Sequence, residues 1–261
     1  MTPTEVVTRL RAAGCVFAED EAALLLADAT TDEDLERMVD ARAAGTPLEQ
    51  VLGWAEFHGV RVVVEPGVFI PRHRSDVLVD EAIALARENA VVVDMCCGTG
   101  ALGLAVMAAV PGSSLHASDV DPAAVRCART NVESRGGHVS EGDLFDALPG
   151  ELRGRIQILL VNAPYVPSAE IRLMPAEARE YENLVALDGG KDGLDVHRRV
   201  ATKAREWLAP GGHLLVETSS DQADVLAGEF ASAGLSVRVI LDDEDHGAVI
   251  VATHEGAGRL R

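Results

Sequence analysis

Residues 90–106 read AVVVDMCCGTGALGLAV. An apolar run of strand length ends in Asp94, and a turn holding Gly98, Thr99 and Gly100 opens a second apolar run. Strand, glycine-rich turn and helix in that order form the entry unit of an open parallel α/β sheet. Ligands in such sheets sit beyond the carboxyl ends of the strands. Glycines in the turn let backbone approach a ligand with no Cβ in the way.

Downstream, the same alternation repeats. LHASD is followed by a helix from Pro122 to Ser134, then by GHVSEGD, IQILLVN, a helix over Val196 to Leu208, and HLLVET. A helix over Gln222 to Ala233, then SVRVIL and AVIVATH, complete the pattern. Strands alternating with helices predict a Rossmann-like α/β fold, a seven-stranded, mostly parallel sheet with helices on both faces. The last two strands, 236–241 and 248–254, are separated only by a short loop, DDEDHG. They are expected to be antiparallel neighbours, because a parallel crossover needs about a dozen residues or more.

Three of these strands end in acids: Asp94, Asp119 in HASDVDP, and Asp143 in GDL. Asp119 stands where an acid accepts hydrogen bonds from ribose hydroxyls. Asp143 is placed to accept from an adenine amino group, with Leu144 packed on the ring. The window Gly98-Thr99-Gly100-Ala101-Leu102-Gly103 also fits the dinucleotide fingerprint. Asp94, four residues before its first glycine, would repel a pyrophosphate and suits a cationic sulfonium or amino group. That favours S-adenosyl-L-methionine over a nicotinamide dinucleotide.

Upstream, residues 1–45 predict three short helices. Thr2-Pro3 starts the first and Gly14 closes it, Glu19 to Ala29 forms the second, and Thr31 caps the third. Such a segment is a solvated cap or a docking domain for a protein partner. VRVVVEPGVFIP then predicts two strands around a type II turn at Glu65-Pro66-Gly67. The expected organisation is a helical domain over 1–56, a hairpin linker over 57–75 and a cofactor-binding domain over 76–261.

The formal net charge is −19, with 42 acids against 23 basic residues, and the lysines are Lys191 and Lys203. This disfavours a protein that grips a long phosphate backbone, where lysine and arginine supply most of the affinity. No apolar run approaches the roughly 18 residues of a membrane span. The N-terminus lacks a signal core, so a cytoplasmic protein is expected. Cys15, Cys96, Cys97 and Cys127 lack metal-ligand spacing and are expected to be small buried hydrophobes. The eight histidines are scattered, so no metal site is expected.

The fourth strand of the repeat ends in Asn162-Ala163-Pro164-Tyr165, on the rim that carries the three acids. A planar, conjugated nitrogen is hard to methylate because its lone pair is delocalised. The Asn162 side-chain oxygen and the Ala163 carbonyl can both accept from an NH2 group and hold its nitrogen in line with a methyl donor. Tyr165 can stack on the planar group. Positioning of this kind lowers a barrier by several kcal/mol, and a dry polar site lowers it further.

The runs VLGWAEFHGVRVVVEPGVFIPR, VVVDMCCGTGALGLAV, SDVDPAAVRCARTNV, GDLF, VNAPYVP and ALDGGKDGLDVHRRV together resemble the HemK-type protein-(glutamine-N5) methyltransferases. The likeness covers residues 46–220. It implies that Cys96, Cys97, Gly98, Thr99, Gly100, Asp119, Leu144 and Asn162 line an S-adenosyl-L-methionine site. It further implies that Asn162, Ala163, Pro164 and Tyr165 receive a glutamine amide of a peptide-chain release factor, with Arg72 at the substrate entrance. Four departures mark a divergent paralogue. Ala163 stands where the family has the first of two prolines, and His73-Arg74-Ser75-Asp76 replaces Pro-Glu-Thr-Glu. Glu182 is followed by Asn183 rather than Pro, and DDEDHGAV lacks an Asn-Asp-Arg signature. Two alternatives stand beside this reading: an adenine-N6 methyltransferase of nucleic acid, and a methyltransferase fold that binds cofactor but has lost catalysis.

Overall fold

The computed structural model describes residues 1–242 and 247–256; most of the loop expected between the last two strands lies outside them. Helices α1 (Pro3–Ala12), α2 (Ala18–Asp28), α3 (Asp32–Ala43) and α4 (Leu48–Leu52) come first. Thr2 and Glu5 form a reciprocal capping box on α1, and the Thr31 hydroxyl accepts from the Asp34 N–H on α3. These helices bury a core of their own from Val6, Leu10, Leu25, Leu35, Met38 and Val39. The fourth helix was not expected, because five residues are too few to show a period.

The hairpin differs from expectation. Its strands are β1 (Trp54–Phe57) and β2 (Val60–Val63), joined at His58-Gly59 rather than at Glu65-Pro66-Gly67. His58 has φ 47° and Gly59 φ 73°, which matches a type I′ turn and the twist of paired strands. The turn at Glu65-Pro66-Gly67 also forms, with the Val68 N–H donating to the Glu65 carbonyl at 3.1 Å and Gly67 at φ 83°. It does not pair two strands. Instead the Gly67 carbonyl accepts from the Asn183 N–H at 3.0 Å, which ties this turn to a distant loop.

The remaining elements are α5 (Asp76–Leu85), β3 (Val91–Met95), α6 (Ala101–Ala109), β4 (Ser114–Asp119), α7 (Pro122–Val132), β5 (His138–Glu141) and β6 (Ile156–Val161). Then follow α8 (Ala176–Tyr181), α9 (Asp195–Trp207), β7 (Leu208–Ser219), α10 (Ser220–Ser232), β8 (Ser236–Asp242) and β9 (Gly247–Thr253). Seven strands form one sheet in the order β5-β4-β3-β6-β7-β9-β8. All its neighbours are parallel except that β9 runs antiparallel to both β7 and β8, as the short loop between the last strands required.

Alternate residues of each central strand enter opposite cores. Val92, Ile158 and Leu160 pack with α5, α6 and the hairpin, while Val93, Leu159 and Val161 pack with α9 and α10. The chain runs outward from β3 to β5, then crosses back to β6 on the other side of β3. That reversal opens a crevice above the carboxyl ends of β3 and β6, where this class of sheet binds ligands.

Candidate active site

A cleft of ≈ 1010 Å³ opens at that reversal. Its walls include Asp94, Cys96, Cys97, Gly98, Thr99, Asp119, Asp143 and Leu144 on one side, and Asn162, Ala163, Pro164, Tyr165 and Arg72 on the other. Every residue singled out from the sequence therefore meets in one place, with Gly100 the exception. Gly100 sits behind the wall at φ 78°, where an added Cβ would lie 2.6 Å from Val132. It shapes the turn and the packing of α7 rather than facing the cleft.

On the first side, short-range backbone contacts hold the acids. The Asp94 carboxylate accepts from the Gly103 N–H at 2.9 Å and is 1% exposed. Burial, with Asp119 adding repulsion, pushes its pKa up to about 7. Gly103 cannot carry a side chain, because a Cβ would lie 2.8 Å from that of Asp94. Asp119 accepts from the Gly98 and Asp121 N–H groups, each at 2.9 Å. Burial raises its pKa as well, against those two hydrogen bonds. Burial also raises both thiols, Cys96 and Cys97, so they stay protonated. All four cysteines are free; Cys97 and Cys127 are buried, but Cys15 and Cys96 are partly exposed, against expectation. Asp143 pairs with Arg199, so its charge is balanced by a group the sequence did not suggest.

These residues fit S-adenosyl-L-methionine. A buried carboxylate whose proton is held up to about 7 calls for a cation beside it. Asp119 is fixed by two backbone donors and keeps lone pairs for a diol. The buried Ser118 hydroxyl, also in the cleft wall, has no partner among the described residues. Among those residues, no group of three or more histidine, cysteine or acidic side chains could hold a metal ion.

On the second side, side chains from distant segments converge. The Asn162 side-chain NH2 donates to Ser75 Oγ at 3.2 Å and to Glu217 Oε2 at 3.3 Å. The Tyr165 hydroxyl donates to Glu217 Oε1 at 3.0 Å, and burial and that carboxylate raise the phenol pKa. Arg74 Nε donates to the same oxygen at 3.0 Å. Sequence reasoning missed Glu217, Ser75 and the role of Arg74. The available signal was an acid inside HLLVET, an apolar strand ending on the same rim.

The backbone of this loop is also anchored. Gln222 Nε2 donates to the Tyr165 carbonyl at 2.9 Å. Gly193, at φ 81°, lies so close that a Cβ would stand 2.2 Å from that carbonyl. Gly193 thus lets one loop press against the other, while Gly189 and Gly190 fit closely against Gly193 and Asp195 of their own loop.

Two departures from the family pattern also acquire contacts. Asn183 donates from its side chain to Asp121 Oδ2 at 2.9 Å and from its N–H to Gly67, while a proline could do neither. Arg74 reaches Glu217, as described. Arg72 pairs with the buried Glu182, whose pKa burial raises and Arg72 opposes.

Comparison with known proteins agrees with this arrangement. A family model described as "Methyltransferase small domain" matches residues 59–178. The chain is 39% identical over 199 residues to the release factor glutamine methyltransferase of Geobacter sulfurreducens, covering 76% of this chain and 69% of that one. It is 34% identical to the 4-amino-L-phenylalanine/4-methylamino-L-phenylalanine methyltransferase of Streptomyces pristinaespiralis, covering 75% and 69%. A crystal structure of a methyltransferase from Pyrococcus furiosus shares the fold, with a TM-score of 0.54 at 16% identity over 75% of this chain and 90% of that one. Taken with a cleft that joins Asp94, Asp119 and Asp143 to an Asn-Ala-Pro-Tyr rim, these relatives show that the chain belongs to the release factor glutamine methyltransferase family.

Proposed function

We propose that the protein transfers a methyl group from S-adenosyl-L-methionine to the side-chain amide nitrogen of a glutamine in a protein of the release-factor kind. The observation that carries this reading is Asn162. Its NH2 end is turned away to Ser75 and Glu217, and its Oδ1 takes no hydrogen bond among the described residues. An open carbonyl oxygen on the rim of a cofactor cleft is an acceptor for an incoming NH2 group.

When bound, S-adenosyl-L-methionine supplies an electrophilic methyl on a positively charged sulfur. Asp94 and Asp119 are the residues to hold its cationic and ribose portions. Asn162 Oδ1 and the Ala163 carbonyl accept the two amide hydrogens and aim the nitrogen lone pair across the cleft. Tyr165, tied at its hydroxyl, offers a ring face against which the planar amide can lie. No strong base is required. The amide nitrogen becomes acidic as its new bond forms, and the proton departs to an acceptor on the rim or to water.

Ala163 keeps the backbone carbonyl and is packed, 2% exposed, just past the end of β6. The net charge of −19 favours a protein acceptor over a nucleic acid. Among the described residues no helix is long and apolar enough to cross a membrane, and a cytoplasmic setting suits such a substrate. The test is to incubate purified protein and S-adenosyl-L-methionine with a recombinant release factor, and to map the product by tandem mass spectrometry. Methylation of one glutamine is expected. Methylation of free 4-amino-L-phenylalanine with none on the release factor would overturn the reading.

A further inference from the structure

We propose that Glu217 is a positioning residue for methyl transfer: its buried carboxylate decides which end of the Asn162 amide faces the cleft. The inference rests on the reading above, in which Asn162 receives the acceptor amide.

Glu217 is 3% exposed, near the carboxyl end of β7. Four donors converge on it. Arg74 Nε and the Tyr165 hydroxyl each lie 3.0 Å from Oε1, while the Ser75 hydroxyl and the Asn162 NH2 address Oε2. An ionised carboxylate offers about four lone-pair sites and no proton, so each group that faces it must donate. This settles the Asn162 flip chemically. Turning the amide over would set its oxygen against a buried anion about 3.3 Å away, a distance now spanned by a hydrogen bond.

Ser75 closes the arrangement. Its hydroxyl gives its proton to Glu217 and accepts from Asn162 at 3.2 Å, so the amide has two acceptors behind it. The only orientation that satisfies both leaves Oδ1 toward the cleft. Arg74 brings a positive charge against the buried carboxylate, pairing with it at 3.0 Å. The neighbouring buried His197 lies against the Glu217 backbone, and burial lowers its pKa to about 4 against that contact; it adds no charge to the cluster.

The substitution Glu217→Gln tests the idea, because glutamine keeps the shape but brings a donor where four donors already meet. The first readout is the side-chain 15N–1H2 signal of Asn162 in the full-length protein, identified by its loss in Asn162→Asp. Wild type should protect these protons, and Glu217→Gln should speed their exchange with water by about tenfold or more. The second readout is kinetic. On a glutamine acceptor, kcat should fall on the order of 10²-fold with acceptor KM changed less than about threefold. Calorimetric affinity for S-adenosyl-L-methionine should stay within about twofold, since no cofactor-side acid touches Glu217.

Unchanged Asn162 exchange in a folded Glu217→Gln protein would overturn the proposal. If wild type methylates no glutamine, the function fails while the exchange experiment still decides the orientation. Should Glu217→Gln not fold, Ser75→Ala removes one of the two acceptors behind the amide. It should raise exchange in the same direction by a smaller factor, and no change would count against the proposal.

Discussion

The two halves of the cleft are held by different means. On the half proposed for the cofactor, Asp94 and Asp119 are fixed by backbone N–H groups two to twenty-one residues away, in the β3–α6 and β4–α7 connections and the first turn of α6. On the half proposed for the acceptor, Asn162 is fixed by Ser75 and Glu217, which lie 87 and 55 residues away in sequence. Backbone hydrogen bonds supplied by nearby segments of the chain survive most side-chain changes elsewhere. A cluster of side chains from three segments depends on each member, and substitutions within it can retune one substrate site without disturbing the other half.

The sharpest way to break that contrast is Asn162→Ala. Methyl transfer to a glutamine acceptor should fall by about 10³-fold or more, since two positioning effects vanish together. Calorimetry should find cofactor affinity within about threefold of wild type. A large loss of cofactor affinity instead would mean that the halves are not separable.

Asp119→Ala attacks the other half. Losing hydrogen bonds to a charged group and releasing the Gly98 N–H should weaken S-adenosyl-L-methionine binding by about 10- to 100-fold. Titration calorimetry measures this directly, and unchanged affinity would remove Asp119 from the site.

Asp94 provides a pH test. Its folded pKa lies at about 7, above the ordinary carboxylate range, so the ligand-free protein holds an extra proton that the unfolded chain lacks. That contribution to stability is present at low pH and is lost as pH rises toward about 7. A cation beside Asp94 drives the proton off, so cofactor affinity should rise with pH, by at most about tenfold per unit, and level off above neutrality. Asp94→Asn should flatten the profile. An unaltered slope in that variant would assign the titration to another group.

The smallest effect is expected from Ala163→Pro. The Ala163 N–H donates no hydrogen bond among the described residues, so proline removes nothing the loop uses. Activity should change by less than about threefold and the melting temperature by a few degrees at most. A collapse of activity would show that this branch needs a loop geometry that proline forbids.

The same contrast explains what could be read from sequence. The sheet was legible because apolar strands and helices alternate at regular lengths, and the three acids could be placed on one rim because Asp119 ends β4 while Asp94 and Asp143 lie within two residues of the ends of β3 and β5. Thr2 and Thr31 were legible as caps because capping is a contact over three residues. The hairpin was misplaced because His58-Gly59 and Glu65-Pro66-Gly67 are both competent turns. Only strand pairing, a tertiary outcome, chooses between them. Glu217 was passed over because its partners Ser75 and Arg74 are 142 and 143 residues away, and no local pattern announces such a meeting. The role of Gly193 was hidden for the same reason: its close neighbour is the Tyr165 carbonyl, supplied by another loop.

The central claim is that the acceptor half of the cleft presents a glutamine amide to the methyl donor. Its most direct test is labelled S-adenosyl-L-methionine added with purified enzyme to an extract from cells lacking the gene, followed by proteolysis and mass spectrometry of the labelled species. The account predicts label on the side-chain nitrogen of a protein glutamine, absent when Asn162→Ala replaces the wild type. Label confined to nucleic acid or to a small aromatic amine, or retained in full by Asn162→Ala, would contradict it.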